Sequence, residues 1–284
     1  MKTFFAIGLA FSLAVLLACQ TPQKERELPP IVNQVAPYSF EDKPIWQDEF
    51  DKNGLPDSTK WDYDVGGHGW GNNELQFYTK ANLKNARVAD GKLIIEAIRE
   101  NMGNNQYTSA RLITKKKGDW LYGKFVIRAK LPSGTGTWPA VWMLASQQSY
   151  GSSFWPDNGE IDIMEHVGFD PTVVHGTVHT RAYYHSIGTQ RGAKITIPTA
   201  MTEFHDYILE WTPTSIKVSA DDKTYFTFVK ESNEWQKWPF DKPFHLLLNI
   251  AIGGSWGGQK GVDNSIFPQK MEIDYVRVYA LKKS

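Results

Sequence analysis

From Tyr38 onward, apolar residues come in short runs that alternate with polar ones, and Gly, Pro, Asn and Asp mark the breaks. Such runs include "KLIIEAI" from Lys92, "GKFVIRAKL" from Gly123, "VVHGTVHT" from Val173 and "HDYILEW" from His205. "SIKVSA" from Ser215, "FHLLLNIAI" from Phe244 and "EIDYVRVYAL" from Glu272 continue the series. A period of two, rich in β-branched and aromatic residues, predicts strands half-buried on a sheet. No long stretch repeats its apolar residues at helical spacing, and "SNEWQKWPF" from Ser232 has room for one short turn. Many short strands joined by turns predict an all-β fold, a jelly-roll sandwich of two antiparallel sheets. No repeat or change of composition interrupts the pattern, so residues 38–284 are expected to form one domain.

The first 37 residues read differently. Lys2 precedes an apolar run from Phe4 to Leu17. A membrane span takes roughly 20 residues, so the shorter run predicts a signal peptide over residues 1–18. Leu16 to Cys19, "LLAC", resembles the lipobox of bacterial lipoproteins, in which the cysteine becomes the lipidated N-terminus. Residues 19–37 are polar and proline-bearing, which predicts a flexible tether. The expectation is an exported protein, lipid-anchored through Cys19 to the outer membrane or cell surface, that partitions with the membrane fraction. Cys19 is the only cysteine, so the folded part contains no disulfide.

Composition narrows the function. With 284 residues, 41% of them hydrophobic, the chain can bury a sizeable core. Lys+Arg and Asp+Glu are 31 each, without the basic excess of a nucleic-acid binder. Eleven tryptophans exceed what packing asks for. On a concave surface their rings would suit the flat apolar faces of sugars.

"GEIDIMEHVG", Gly159 to Gly168, crowds Glu160, Asp162 and Glu165 into one short stretch. Like charges side by side gain nothing on an ordinary surface strand. Pro156, Gly159 and Gly168 leave too little room for a helix, so the stretch is expected to be a strand. Glu160 and Asp162, two apart, then share a face. Glu165 would face away unless one residue, near Met164, is inserted as a β-bulge. With the bulge, all three acids enter one cleft. Two carboxylates about 5–5.5 Å apart are the pair used by retaining glycoside hydrolases, one as nucleophile and one as acid/base. An acid between them helps hold a proton and keeps their pKa values apart. The plain alternative is a polar strand face, and "MEIDYVRVY" repeats the first spacing at Glu272 and Asp274 without a third acid.

The stretch resembles the active-site signature of glycoside hydrolase family sixteen in its bulged form. "WDYDVGGHGWGNNELQFYT", "GTWPAVWMLA", "FWPDNGEIDIMEHVG", "GTVHT" and "NIAIGGSWGG" look like its bacterial laminarinase branch, so the resemblance spans Trp46 to Tyr279. It implies a β-jelly-roll with a sugar-binding cleft across the concave sheet. It further implies an endo-acting β-1,3-glucanase that hydrolyses laminarin-like polysaccharide with retention. Glu160 matches the family nucleophile, Glu165 the acid/base and Asp162 the assisting acid. The lichenase branch lacks the bulge residue, and Met164 argues against it. A bulged relative cutting mixed-linkage glucan or an algal galactan remains an alternative, as does a non-catalytic β-glucan-binding protein.

Trp138, Trp142, Trp155 and Trp256 have glycine, proline or polar neighbours, and by the resemblance they contact substrate. Trp61, Trp211 and Trp235 are expected to be structural. His175 and His179 share a strand face, and with His185 and Glu165 they raise the question of zinc. No zinc-like set of three ligands is present, and no cofactor is expected for catalysis. By the resemblance, His179 lies beside the acid/base, and Asn73, Glu74 and Arg111 are polar cleft residues. The resemblance also implies a structural calcium away from catalysis, with ligands from Glu49, Gly91 and Asp274. The expected partner is β-glucan, and the chain is expected to act as a monomer.

Overall fold

The computed structural model describes residues 38–282; the signal segment, Cys19 and the tether lie outside the described residues. The first strands are β1 (Trp46–Asp48), β2 (Asp62–Asp64), β3 (Gln76–Tyr78), β4 (Ala86–Ala89), β5 (Lys92–Ala97) and β6 (Tyr107–Ser109). Next come β7 (Arg111–Ile113), β8 (Asp119–Trp120), β9 (Gly123–Lys130), β10 (Thr137–Ala145), β11 (Glu160–Glu165) and β12 (Val173–His179). The chain closes with β13 (Arg191–Thr196), β14 (His205–Trp211), β15 (Ser215–Ala220), β16 (Lys223–Val229), β17 (Phe244–Ile252) and β18 (Gln269–Tyr279). Every run singled out by its alternation is a strand. Helix among the described residues is confined to two short 3-10 turns, His185–Ile187 and Asn264–Ile266.

Two antiparallel sheets carry the architecture. The back sheet runs β16-β15-β14-β9-β18-β5-β4, with β1 also on β18. The front sheet runs β13-β12-β11-β10-β17-β7-β2, with β8 also on β17. Alternate residues of each sheet meet in one core, Phe125, Ile127 and Val276 from the back against Val141, Ile161 and Leu248 from the front. That is the physical origin of the period of two: one face is core, the other is not.

β17 departs from it, with all nine residues buried. It is flanked by β10 on one side and by β7 and β8 on the other. Leu246, Leu248 and Ile250 face the core, and Asn249 and Ala251 on the other face form the floor of a cleft beneath larger side chains. Trp61 and Trp211 are buried in the core, their indole N–H groups donating to Asp48 Oδ2 (2.8 Å) and the Phe240 carbonyl (3.1 Å). Trp235 stacks parallel on Tyr150 with ring centroids 5.7 Å apart. Trp61 and Trp211 are thus core residues, as expected, and Trp235 is partly exposed.

Candidate active site

β11 is where the front sheet becomes irregular. Against β10, Met164 pairs with Val141 and Asp162 with Trp142, so Ile163 has no partner. Against β12, Asp162 faces Thr177 and Glu165 faces His175, which leaves Ile163 and Met164 together opposite Gly176. The residue without a partner is therefore Ile163, next to Met164, where the bulge was expected. Ile161, Ile163 and Met164 all reach the core, and Glu160, Asp162 and Glu165 line the cleft. Burying a large apolar side chain contributes about 1.5–3 kcal/mol. Two such residues in succession can both enter the core only if the strand bends between them, and the bend returns Glu165 to the face of the other acids. Gly159 starts the strand at φ +85°, where a Cβ would lie 2.8 Å from Pro239 Cγ, so glycine is required there.

The cleft has a volume of about 390 Å³. Its lining runs from His68 and Trp70, across β7, β17, β10 and β11, to His185 and Ser186. Burial, followed by repulsion from Asp162, pushes Glu160 up to about 8. Burial, followed by repulsion from Glu160, pushes Glu165 up to about 7, opposed by the Trp138 N–H that donates to Glu165 Oε1 at 3.0 Å. Asp162, 1% exposed, is raised well above the usual carboxylate range by burial and by Glu165. The cluster thus retains protons at neutral pH, with Glu160 and Asp162 hydrogen-bonded to each other.

The same protons govern stability. The folded state binds them more tightly than the unfolded chain does. The stability carried by the Glu160 proton is complete below pH 4.5 and is lost as pH rises through about 8. Glu160→Gln is neutral at every pH, so it is expected to raise Tm more at about pH 9 than at about pH 5. Equal shifts at both would show that this carboxyl is not raised.

A hydrogen-bonded chain positions the aromatic walls. Trp142 Nε1 donates to Asn249 Oδ1 (2.7 Å), whose Nδ2 donates to the Tyr78 hydroxyl (3.0 Å). That hydroxyl donates to Glu74 Oε2 (3.3 Å), which also accepts from Gln76 Nε2 (2.6 Å). Arg111 lies between the rings of Trp70 and Trp142, 4.7 and 4.6 Å from their centroids, with Nε 3.0 Å from Asp64 Oδ2. A guanidinium between two indoles gains cation–π attraction on both faces. It also holds the two rings apart.

Trp155 is set by its own loop. Asp157 Oδ2 accepts from the amides of Ser152 and Ser153, and Asn158 Oδ1 from those of Ser149 and Tyr150. The ring then packs against His179 and His185, with centroids 6.0 and 5.2 Å away.

The structure gathers Trp138, Trp142, Trp155, Glu74 and Arg111 around the three acids. Trp256 is not in the lining and stands edge-on to Trp138 at 5.5 Å and to His175 at 5.0 Å. Asn73 is not in the lining: its φ of +58° turns it outward to Ser255, and Asn72 lines the cleft instead. His179 also needs correction. Strand register sets it opposite Glu160, its Nε2 3.4 Å from Asp162 and 3.9 Å from Glu160, whereas His175 faces Glu165. Trp70, Tyr78, Gln76 and Asn249 were not foreseen. Asn249 had left a signal, a lone amide inside an apolar strand, because a buried polar side chain needs a partner.

Of the expected calcium ligands, Glu49 and Asp274 are each engaged by an arginine. β18 pairs with β5 as far as Ile273 and with β1 from Val276, and Asp274 lies between these two stretches. Arg277 takes both oxygens of Glu49, at 2.8 and 2.7 Å, and Arg128 lies 3.5 Å from Asp274. The Glu49 carboxylate is therefore engaged. The oxygens suited to a cation here are the carbonyls and what Arg128 leaves of Asp274.

Paired acids on a cleft strand of a β-sandwich define the class, the glycoside hydrolases. The family described as glycosyl hydrolases family 16 matches residues 70–277, and the chain belongs to it. A β-glucanase of Rhodothermus marinus is 58% identical over 275 residues, 95% of this chain and 93% of its own length. The X-ray structure of the laminarinase from Rhodothermus marinus superposes with a TM-score of 0.85 at 60% identity, covering 87% of this chain and 99% of that one. A glucan endo-1,3-β-glucosidase of Cryptopygus antarcticus is 39% identical, covering 82% of this chain and 90% of its own.

Proposed function

We propose that the chain is an endo-acting β-1,3-glucanase that hydrolyses laminarin-like polysaccharide with retention. The observation that carries this reading is the set of three acids on one face of bulged β11, within an indole-lined cleft that crosses the sheet. Glu160 attacks the anomeric carbon and forms a glycosyl ester while Glu165 gives its proton to the leaving oxygen. Glu165, now a carboxylate, takes a proton from the water that cleaves the ester. Burial holds the Asp162 carboxyl well above the usual carboxylate range, so a proton is retained beside Glu160, which must give up its own proton before it attacks. Trp138 fixes the orientation of Glu165, and the tryptophan rings offer stacking surfaces to glucose units. A cleft that continues across the sheet accepts internal linkages.

The test is digestion of purified laminarin, mixed-linkage glucan, agarose and carrageenan, with the first product followed by NMR. Laminarin is expected to give short oligosaccharides, β-anomer first, with slower attack on mixed-linkage glucan and little on the galactans. Preference for a galactan would overturn the substrate, and an α-anomer appearing first would overturn retention. Binding without cleavage would move the chain to the glucan-binding reading.

A further inference from the structure

The bulge of β11 is secured from the opposite sheet. A bulge takes its extra residue out of the regular ladder. A buried backbone carbonyl still requires a donor. The carbonyl of Ile163, the unpaired residue, accepts from the hydroxyl of Tyr225 at 2.9 Å. Tyr225 belongs to β16, on the edge of the back sheet, so this bond joins the two layers beneath the acids. Gly176 makes the approach possible: a Cβ there would lie 3.0 Å from Tyr225 Cε2 and 3.3 Å from its hydroxyl. Burial keeps that phenol well above its ordinary pKa, so it remains a donor.

We propose that Tyr225 is a positioning residue for the reaction: by holding the Ile163 carbonyl it fixes the bulge, and through the bulge the place of Glu165 relative to Glu160. The proposal rests on the roles assigned above to those two carboxyls. Tyr225 touches no substrate. Its effect reaches the acid/base alone, because Glu165 follows the bulge whereas Glu160 and Asp162 precede it.

This predicts a dependence on the leaving group that general loosening of the fold would not give. A natural sugar needs its departing oxygen protonated, while a dinitrophenolate departs without help. The experiment measures kcat/KM, which covers the glycosylation step, on laminarin and on dinitrophenyl β-laminaribioside. Glu165→Ala is the reference. It should lose laminarin and keep the aryl substrate; if it loses both alike, the assigned roles fall and the proposal with them.

Tyr225→Phe should lose about tenfold on laminarin, the scale of a sub-ångström misplacement, and less than about twofold on the aryl substrate. Tyr207→Phe is the control, since that buried hydroxyl has no hydrogen-bond partner. It should leave both values unchanged. Equal losses on the two substrates, or none on either, would overturn the positioning role. Should Tyr225→Phe not fold, Gly176→Ala carries the test, because its added Cβ presses on the ring while the hydroxyl remains. The same selective loss supports the proposal, and an equal loss overturns it.

Discussion

Glu160→Ala is expected to abolish hydrolysis of laminarin, by at least about 10³-fold, the scale on which removing a covalent nucleophile acts. The cleft survives the change, because Trp138, Trp142 and Arg111 are held by bonds that do not involve Glu160. Glucan binding should therefore stay within a few fold of wild type, as read by calorimetry. The vacated space admits a small anion. Azide entering it would attack from the side of the missing carboxylate while Glu165 still protonates the departing oxygen. The product would be an α-glycosyl azide, inverted relative to the β-bond. Hydrolysis at wild-type rate, or a β-azide from this variant, would show that Glu160 is not the nucleophile.

Glu165→Ala should give the opposite chemistry. Laminarin turnover is expected to fall by about 10²–10⁴-fold, the contribution of a positioned general acid. With Glu160 intact, substrates carrying a good leaving group would still form the ester. Azide would then intercept that ester from the opposite face and yield a β-glycosyl azide. The pair of variants thus assigns the roles by product stereochemistry, which a general loss of folding cannot imitate. An α-azide from Glu165→Ala would exchange the two assignments.

Much of this arrangement was legible before any coordinates. Alternation located the long strands because a sheet has two faces, and the odd gap before Glu165 required one extra residue. Which residue leaves the ladder was not legible. Ile163 and Met164 are both apolar and both reach the core, so only their pairing with Val141 and Gly176 decides. Trp70 and Tyr78 share one stretch but Asn249 comes from a distant strand, and nothing local announces that they meet. Asn72 and Asn73 are adjacent in a glycine-rich turn, where neither period applies and a single positive φ selects the one that faces in. The placement of His179 beside Glu165 failed for a related reason. Strand register, invisible in one chain, sets it against Glu160.

Strand β11 has one face in the core and the other in the chemistry, so no position along it can drift at random. A change at Ile161 or Ile163 disturbs packing, and a change at Glu160 or Asp162 stops the reaction. The rim is made differently, from the turn that carries His68 and Trp70 and from the self-tied loop that carries Trp155. These loops lie outside the strand ladders, so their exposed residues can change with less effect on the sheets. A lineage built on this frame can therefore acquire a taste for a new sugar at its margins while the floor of the cleft is inherited intact.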